Sequence, residues 1–258
     1  MEKIKKELTD LFEEMLPKVS SFKRKTYQGL FEEGFEKYKG VISSICELLS
    51  SKNDVERKQM TEELAGVVPE YAYEKIQCIP KAKKERTAIN YNLNMAVYVI
   101  PILTYTREEN CRRLAERMVG LWNEKKVTSL TLSMSSYEEI AGGFKKGLCF
   151  ITTAVCDWQE KEDDCYELTS LRAYRDSYMM RDAEGRALVE EYYDTAPSLV
   201  WILNMQPDAP AVYQSLYEDY LSPCIRYIEQ KRYEDCRRLY TEMVRGLQKK
   251  YLFNLNER

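Results

Sequence analysis

The chain has 258 residues, a net charge of −3, and 44% apolar against 31% charged side chains. That balance fits a folded globular protein and excludes a disordered one, and without a basic tract neither nucleic acid nor an anionic membrane surface is an expected partner. Histidine is absent, which removes Ser-His and Cys-His nucleophilic pairs and imidazole metal ligands. Carboxylates, lysine, tyrosine and cysteine are left for any chemistry.

The opening residues, MEKIKKELTDLFEEML, lack the apolar run of an export signal. The longest apolar stretch, MAVYVIPIL, is too short to cross a bilayer. A cytoplasmic protein is expected, and in a reducing compartment eight cysteines are buried fillers, metal ligands or reactive thiols rather than a disulfide framework. The twenty tyrosines fall mostly at helical spacing, which predicts rings packed inward and hydroxyls left in water.

In chain order the pattern is helical. Ile4, Leu8, Leu11, Phe12 and Met15 form one apolar stripe. A second helix is expected over 26–49, with Leu30, Phe31, Tyr38, Val41, Ile42, Ile45 and Leu49 inside. Asn53-Asp54 caps a third, running to about Gly66, with Pro69 and Pro80 as punctuation after it. The charged stretch 81–86 reads as a solvated face, 90–105 as the most apolar and central element, and 107–123 as an amphipathic helix. Serines, threonines and the Gly142-Gly143 pair in 127–147 mark a boundary. It separates an N-terminal helical region, 1–140, from a C-terminal cysteine-containing helical region, 141–258. In the latter, Asp164 is expected to cap a helix reaching about Met180, with Glu167 completing a capping box. Helices over 185–193 and 210–220 follow, then one opening at Ser222-Pro223 and a last one over 234–252. The fold class is therefore mainly α, with an irregular cysteine-containing loop or short helix between an N-terminal helical half and the C-terminal helices.

Three cysteines crowd into CFITTAVCDWQEKEDDC: Cys149, Cys156 and Cys165. If CFITTAVC is helical, Cys149 and Cys156 share a face two turns apart, with sulfurs about 10 Å from each other, too far to share one zinc. If it is a loop, they can converge. Cys165, placed in the first turn of a capped helix, and Cys224, placed just after Ser222-Pro223, both stand where a helix dipole favours a thiolate. Arg172 and Asp176 share the face of Cys165, and Arg175 is near. This suggests a metal site with Cys149, Cys156, Cys165 and Cys224 as ligands for zinc or an iron–sulfur cluster, and an arginine offsetting their charge. The spacing itself is not a zinc-ribbon pattern. Cys46, Cys78, Cys111 and Cys236 read as filler.

Cys149-Phe150-Ile151, Thr153-Ala154, Leu171-Arg172-Ala173-Tyr174-Arg175-Asp176, Gly185-Arg186, Tyr192-Tyr193 and Ala196-Pro197 occur in that order. Together they resemble the CFI box of bacterial proteins named for a CFI-box C-terminal domain. Simpler members read roughly CFIATAAYG, then LRxFRD, then a glycine-arginine step, a tyrosine pair and a proline. The likeness covers residues 149–224, under a third of the chain. Cys156 and Asp157 stand where simpler members have a tyrosine or small residue and a glycine, so this chain looks like a cysteine-rich branch. The resemblance implies that Cys149, Arg172, Arg175 and Asp176 belong to one site, and implies no reaction.

Three functions fit these residues. The first is a cysteine-ligated metal or iron–sulfur module. The second is a helical interaction module, self-associating or binding a protein partner, in which the box is structural. The third is a thiol-based redox enzyme or sensor using Cys149.

Overall fold

The computed structural model describes residues 1–144 and 149–252, so 145–147 of the expected boundary stretch lie outside the described residues. Every regular element among the described residues is helical, and none of these helices is long and apolar enough to cross a membrane. The chain forms two compact units.

The first unit comprises Met1–Phe22 and Thr26–Gly142. Helix α1 (Glu2–Met15) buries the stripe Ile4, Leu8, Leu11, Phe12 and Met15. A 3-10 turn, Leu16–Ser21, follows, then α2 (Tyr27–Ser50). Helix α3 (Asp54–Gln77) is capped by Asn53, whose side chain accepts from the Glu56 amide at 3.0 Å. Contrary to expectation it does not stop near Gly66 but runs through Pro69. Pro69 is buried with Val68, Ala72 and Ile76, and burying that side, at roughly 1.5–3 kcal/mol for each large side chain, offsets the hydrogen bond the ring removes. Helix α4 (Lys81–Asn94) takes in the charged stretch 81–86 as its opening turns. A π turn, Met95–Val99, carries the chain into α5 (Ile100–Thr104). Helices α6 (Glu109–Glu124) and α7 (Tyr137–Gly143) complete the unit.

The π turn answers Pro101. A proline in a helix lacks an amide and its ring crowds the carbonyl four residues back, here that of Val97. Widening the turn, with the Ile100 amide reaching the Met95 carbonyl, makes room for the ring. The carbonyls so freed find hydroxyls instead. Tyr27 donates to the Val97 carbonyl at 3.0 Å and Ser135 donates to that of Ala96. Tyr27 is 1% exposed, so its hydroxyl is not left in water as its helical spacing had suggested. Nearby, the Asn92 side-chain oxygen accepts from Trp122 Nε1 at 3.0 Å and from the Thr128 hydroxyl at 2.6 Å.

The second unit comprises Lys23–Lys25 and Gly143–Arg258. Its helices are α8 (Phe150–Trp158), α9 (Tyr166–Ser177), α10 (Ala183–Asn204), α11 (Ala209–Leu216), α12 (Ser222–Glu229) and α13 (Tyr233–Tyr251). A 3-10 turn, Met179–Arg181, precedes α10. Arg24 belongs here because its guanidinium lies 5.5 Å from the Tyr193 ring centre and 2.9 Å from a Glu190 oxygen. Helix α10 extends well beyond the expected 185–193, passing through buried Pro197 as α3 passes through Pro69.

Two expected helix starts are corrected. A second π turn, Tyr217–Leu221, joins α11 to α12, so Ser222-Pro223 is the interior of a continuing helix and Cys224 is at no N-terminus. As at Pro101, the widened turn sits just before the proline it accommodates. In α9 the capping position is held by Cys165, not Asp164, and no side chain caps the helix. Glu167 instead pairs with Lys161.

Replacing Tyr27 with phenylalanine keeps the ring and orphans the Val97 carbonyl. A loss of about 1–3 kcal/mol is expected in urea unfolding, against under about 1 kcal/mol for Tyr71→Phe, whose hydroxyl meets exposed Glu13.

Candidate functional site

CFITTAVC is a helix from its second residue. Cys149 holds the capping position of α8 without a side-chain cap bond, and its carbonyl accepts from Thr153 at 2.6 Å. The first-turn amide of Ile151 is taken by the Tyr192 hydroxyl at 2.9 Å, and Phe150 packs against the rings of Tyr192 and Tyr193. The helix ends with Glu160 in the left-handed region, φ 57°. The Lys161 amide then turns back to the Cys156 carbonyl at 3.0 Å, a Schellman closure. This hook returns the chain to α9 so that Cys165 packs against Cys149, Cys156 and Leu168.

The three clustered thiols thus meet in one apolar cluster, but α8 sets Cys149 and Cys156 two turns apart. Cys156 is hydrogen-bonded to the Cys165 thiol, and burial followed by that hydrogen bond pushes its thiol up to about 12. Cys224 lies elsewhere, fully buried, with its thiol directed at the Cys236 carbonyl at 3.8 Å. Its hydrogen bond to Cys236, then burial, hold it far above an ordinary thiol. Among the described residues no group of three or more cysteine, aspartate or glutamate side chains is arranged to hold a metal ion.

Cys149 has a different setting. Cys149 forms part of the wall of a cavity of about 70 Å³, room for about two water molecules or a short aliphatic chain. Leu171, Tyr174, Val244 and Tyr240 supply apolar wall, and Arg175 and Arg245 supply charge. Arg175 Nη1 points at Cys149 Sγ from 3.6 Å. The same guanidinium grips Asp176 with two bonds of 2.7 and 2.9 Å, which fixes its direction and holds the Asp176 carboxyl below its usual range. A hydrogen bond to Tyr193 adds a further restraint. Burial raises the Cys149 thiol above its ordinary value, and the positive charges of Arg175 and then Arg172 pull against that rise.

Arg172, expected to face the thiols, is turned away to Asp163. It donates to that residue's carbonyl at 2.8 Å and carboxylate at 2.7 Å. Arg175 is the arginine that reaches sulfur. Sequence reasoning also missed Tyr240 and Arg245, which lie on α13 at no distinctive spacing. Tyr240 is tied in through hydroxyl contacts with Thr152, at 3.3 Å, and with Tyr192. No family model, curated protein or solved structure matches this chain.

Gly185 shapes the pocket from behind. A Cβ at this position would stand 2.0 Å from the Met179 carbonyl oxygen, and Met179 lines the cavity. Gly185→Ala is therefore expected to cost about 1–3 kcal/mol in urea unfolding. Gly246→Ala, with nothing within 4 Å in the same unit, is expected to gain up to about 1 kcal/mol.

Proposed function

We propose that the second unit is a thiol sensor in which Cys149 is oxidised by slender, largely apolar hydroperoxides. The observation that carries this reading is the placement of Arg175 Nη1 3.6 Å from the sulfur of a cysteine on the wall of an apolar cavity. A cation fixed beside a thiol favours its thiolate, and thiolate is the form that reacts. In the step proposed, Cys149 Sγ attacks one peroxide oxygen. An S–O bond forms, the O–O bond breaks, and the alcohol leaves carrying the proton that was on sulfur. Thiol and hydroperoxide become sulfenic acid and alcohol, with no further reactant. Because burial raises the thiol above its ordinary value, the resting reaction is slow, which suits a sensor better than a rapid catalyst.

The positions that carry the CFI-box likeness support the same reading. Cys149, Leu171, Tyr174 and Arg175 line the cavity, while Tyr192 binds the Ile151 amide behind it. We read the box as a way of building this pocket. The zinc or iron–sulfur reading asks four thiols to converge, and with Cys224 set against Cys236 the arrangement gives it less support.

The test is the pH dependence of Cys149 alkylation by iodoacetamide, read by peptide mass spectrometry, alongside sulfenic-acid trapping after n-butyl hydroperoxide. Alkylation should rise with pH through the region above 9. In Arg175→Met, which removes a charge that lowers the thiol's pKa, the curve should move to higher pH and the rate at pH 8 should fall about tenfold, one pKa unit. Arg175→Lys should restore part of it. An unchanged profile in Arg175→Met, or no preference of n-butyl hydroperoxide for Cys149 over the other thiols, would sink the proposal.

A further inference from the structure

In the first unit, Cys46 on α2 and Cys111 in the first turns of α6 bring their sulfurs to 2.7 Å. They are 65 residues apart in sequence. Neither was singled out by spacing, because nothing in a sequence relates the middle of one helix to the start of another so far away. The geometry has direction as well as proximity. The Cys111 thiol is fully buried and also lies 3.8 Å from the Ile42 carbonyl, one turn before Cys46 on α2. Cys46 is only partly buried. Cys46 is thus the more exposed member of the pair, and the Cys111 sulfur is held against α2.

We infer that Cys46 and Cys111 are a modification site: an oxidisable dithiol that closes into a disulfide linking α2 to α6. The oxidant class is a small peroxide. The sulfur of the more exposed Cys46 attacks one oxygen of hydrogen peroxide, the O–O bond breaks and water leaves, giving a sulfenic acid. The Cys111 sulfur then attacks the Cys46 sulfur. The S–S bond forms, the S–O bond breaks, and a second water leaves carrying the Cys111 proton. Two thiols lose two hydrogens in all, and one peroxide becomes two waters. A sulfur pair already at 2.7 Å needs a further approach of well under 1 Å to reach a bond of about 2.05 Å. Burial, and then the bond to Cys46, hold the Cys111 thiol protonated. This assigns the first attack to Cys46. Closing so long a loop constrains the unfolded chain, so the oxidised form should be the more stable one.

The experiment uses the full chain, treated with one equivalent of hydrogen peroxide and digested without reductant. Peptide mass spectrometry should find one crosslink, joining the peptide that holds Cys46 to the one that holds Cys111, lighter by two hydrogens. The midpoint of thermal unfolding should rise by about 5 °C or more and fall back on adding dithiothreitol. Cys111→Ser should abolish both changes. Cys46→Ala, at the more open position and so the safer variant for folding, should abolish them equally. Free Cys46 and Cys111 after peroxide consumption, or a crosslink between other cysteines without this one, would overturn the inference. Because neither residue belongs to the second unit, failure here leaves the Cys149 proposal intact, and failure there leaves this one.

Discussion

The structure depends on hydroxyl groups that answer backbone groups stranded by helix ends and prolines. An all-helical chain has no sheet ladder to absorb such groups, and each one left buried without a partner costs about 1–3 kcal/mol. Tyr27 serves the carbonyl that Pro101 abandons. Tyr192 serves an amide at the start of α8. Tyr174 reaches the Tyr233 carbonyl at 2.8 Å. Tyrosine suits the task because its ring packs in the core while its rigid tip reaches a backbone atom. The abundance of tyrosine thus follows from the shortage of other devices, with few glycines for helix ends and prolines set inside helices.

The same device shapes the sulfur site. A capping residue ordinarily turns its side chain inward to a first-turn amide. Tyr192 occupies that amide, so the Cys149 sulfur is released toward Arg175. Two opposing effects then set its state. A full positive charge 3.6 Å away is worth about 4–5 kcal/mol at an effective dielectric of 20. Asp176 shares that guanidinium and cancels part of its field. Burial of the thiolate opposes this attraction, and burial prevails. A ligand that excludes water strengthens both effects, and one that displaces Asp176 from Arg175 tips the sulfur toward thiolate.

The helices read from periodicity are those whose apolar residues face one way, such as α1 and, apart from half-buried Leu30, α2. Three of the misread helix boundaries concern proline, the cap of α9 being the exception. Local rules say that Pro69, Pro197 and Pro223 end or begin helices, and in this chain each lies inside one. Tertiary burial and the π turns supplied what the local rules lacked, and neither leaves a mark in a single sequence. The site was legible in part. Cys149, Arg175 and Asp176 could be singled out because several motif elements recur in order. Which arginine faces the sulfur could not, since Arg172 and Arg175 lie within one turn of α9 and the choice falls to Asp163, in the preceding loop. Cys224 was assigned to the cluster from a helix start that does not exist.

With no histidine in the chain, six of its eight cysteines stand in pairs. Cys46 meets Cys111, Cys156 meets Cys165, and Cys224 meets Cys236. In each pair burial and the hydrogen bond together raise one thiol, that of Cys111, Cys156 or Cys224, above its ordinary value. Cys149 is placed under the opposite influence, with cations pulling against burial. Two kinds of reactivity follow from these two settings. A paired thiol can respond by bonding to its neighbour once one member is oxidised, which makes access to the outer sulfur the controlling variable. A thiol faced by a cation responds to whatever changes the field around it, which makes the occupant of its pocket the controlling variable.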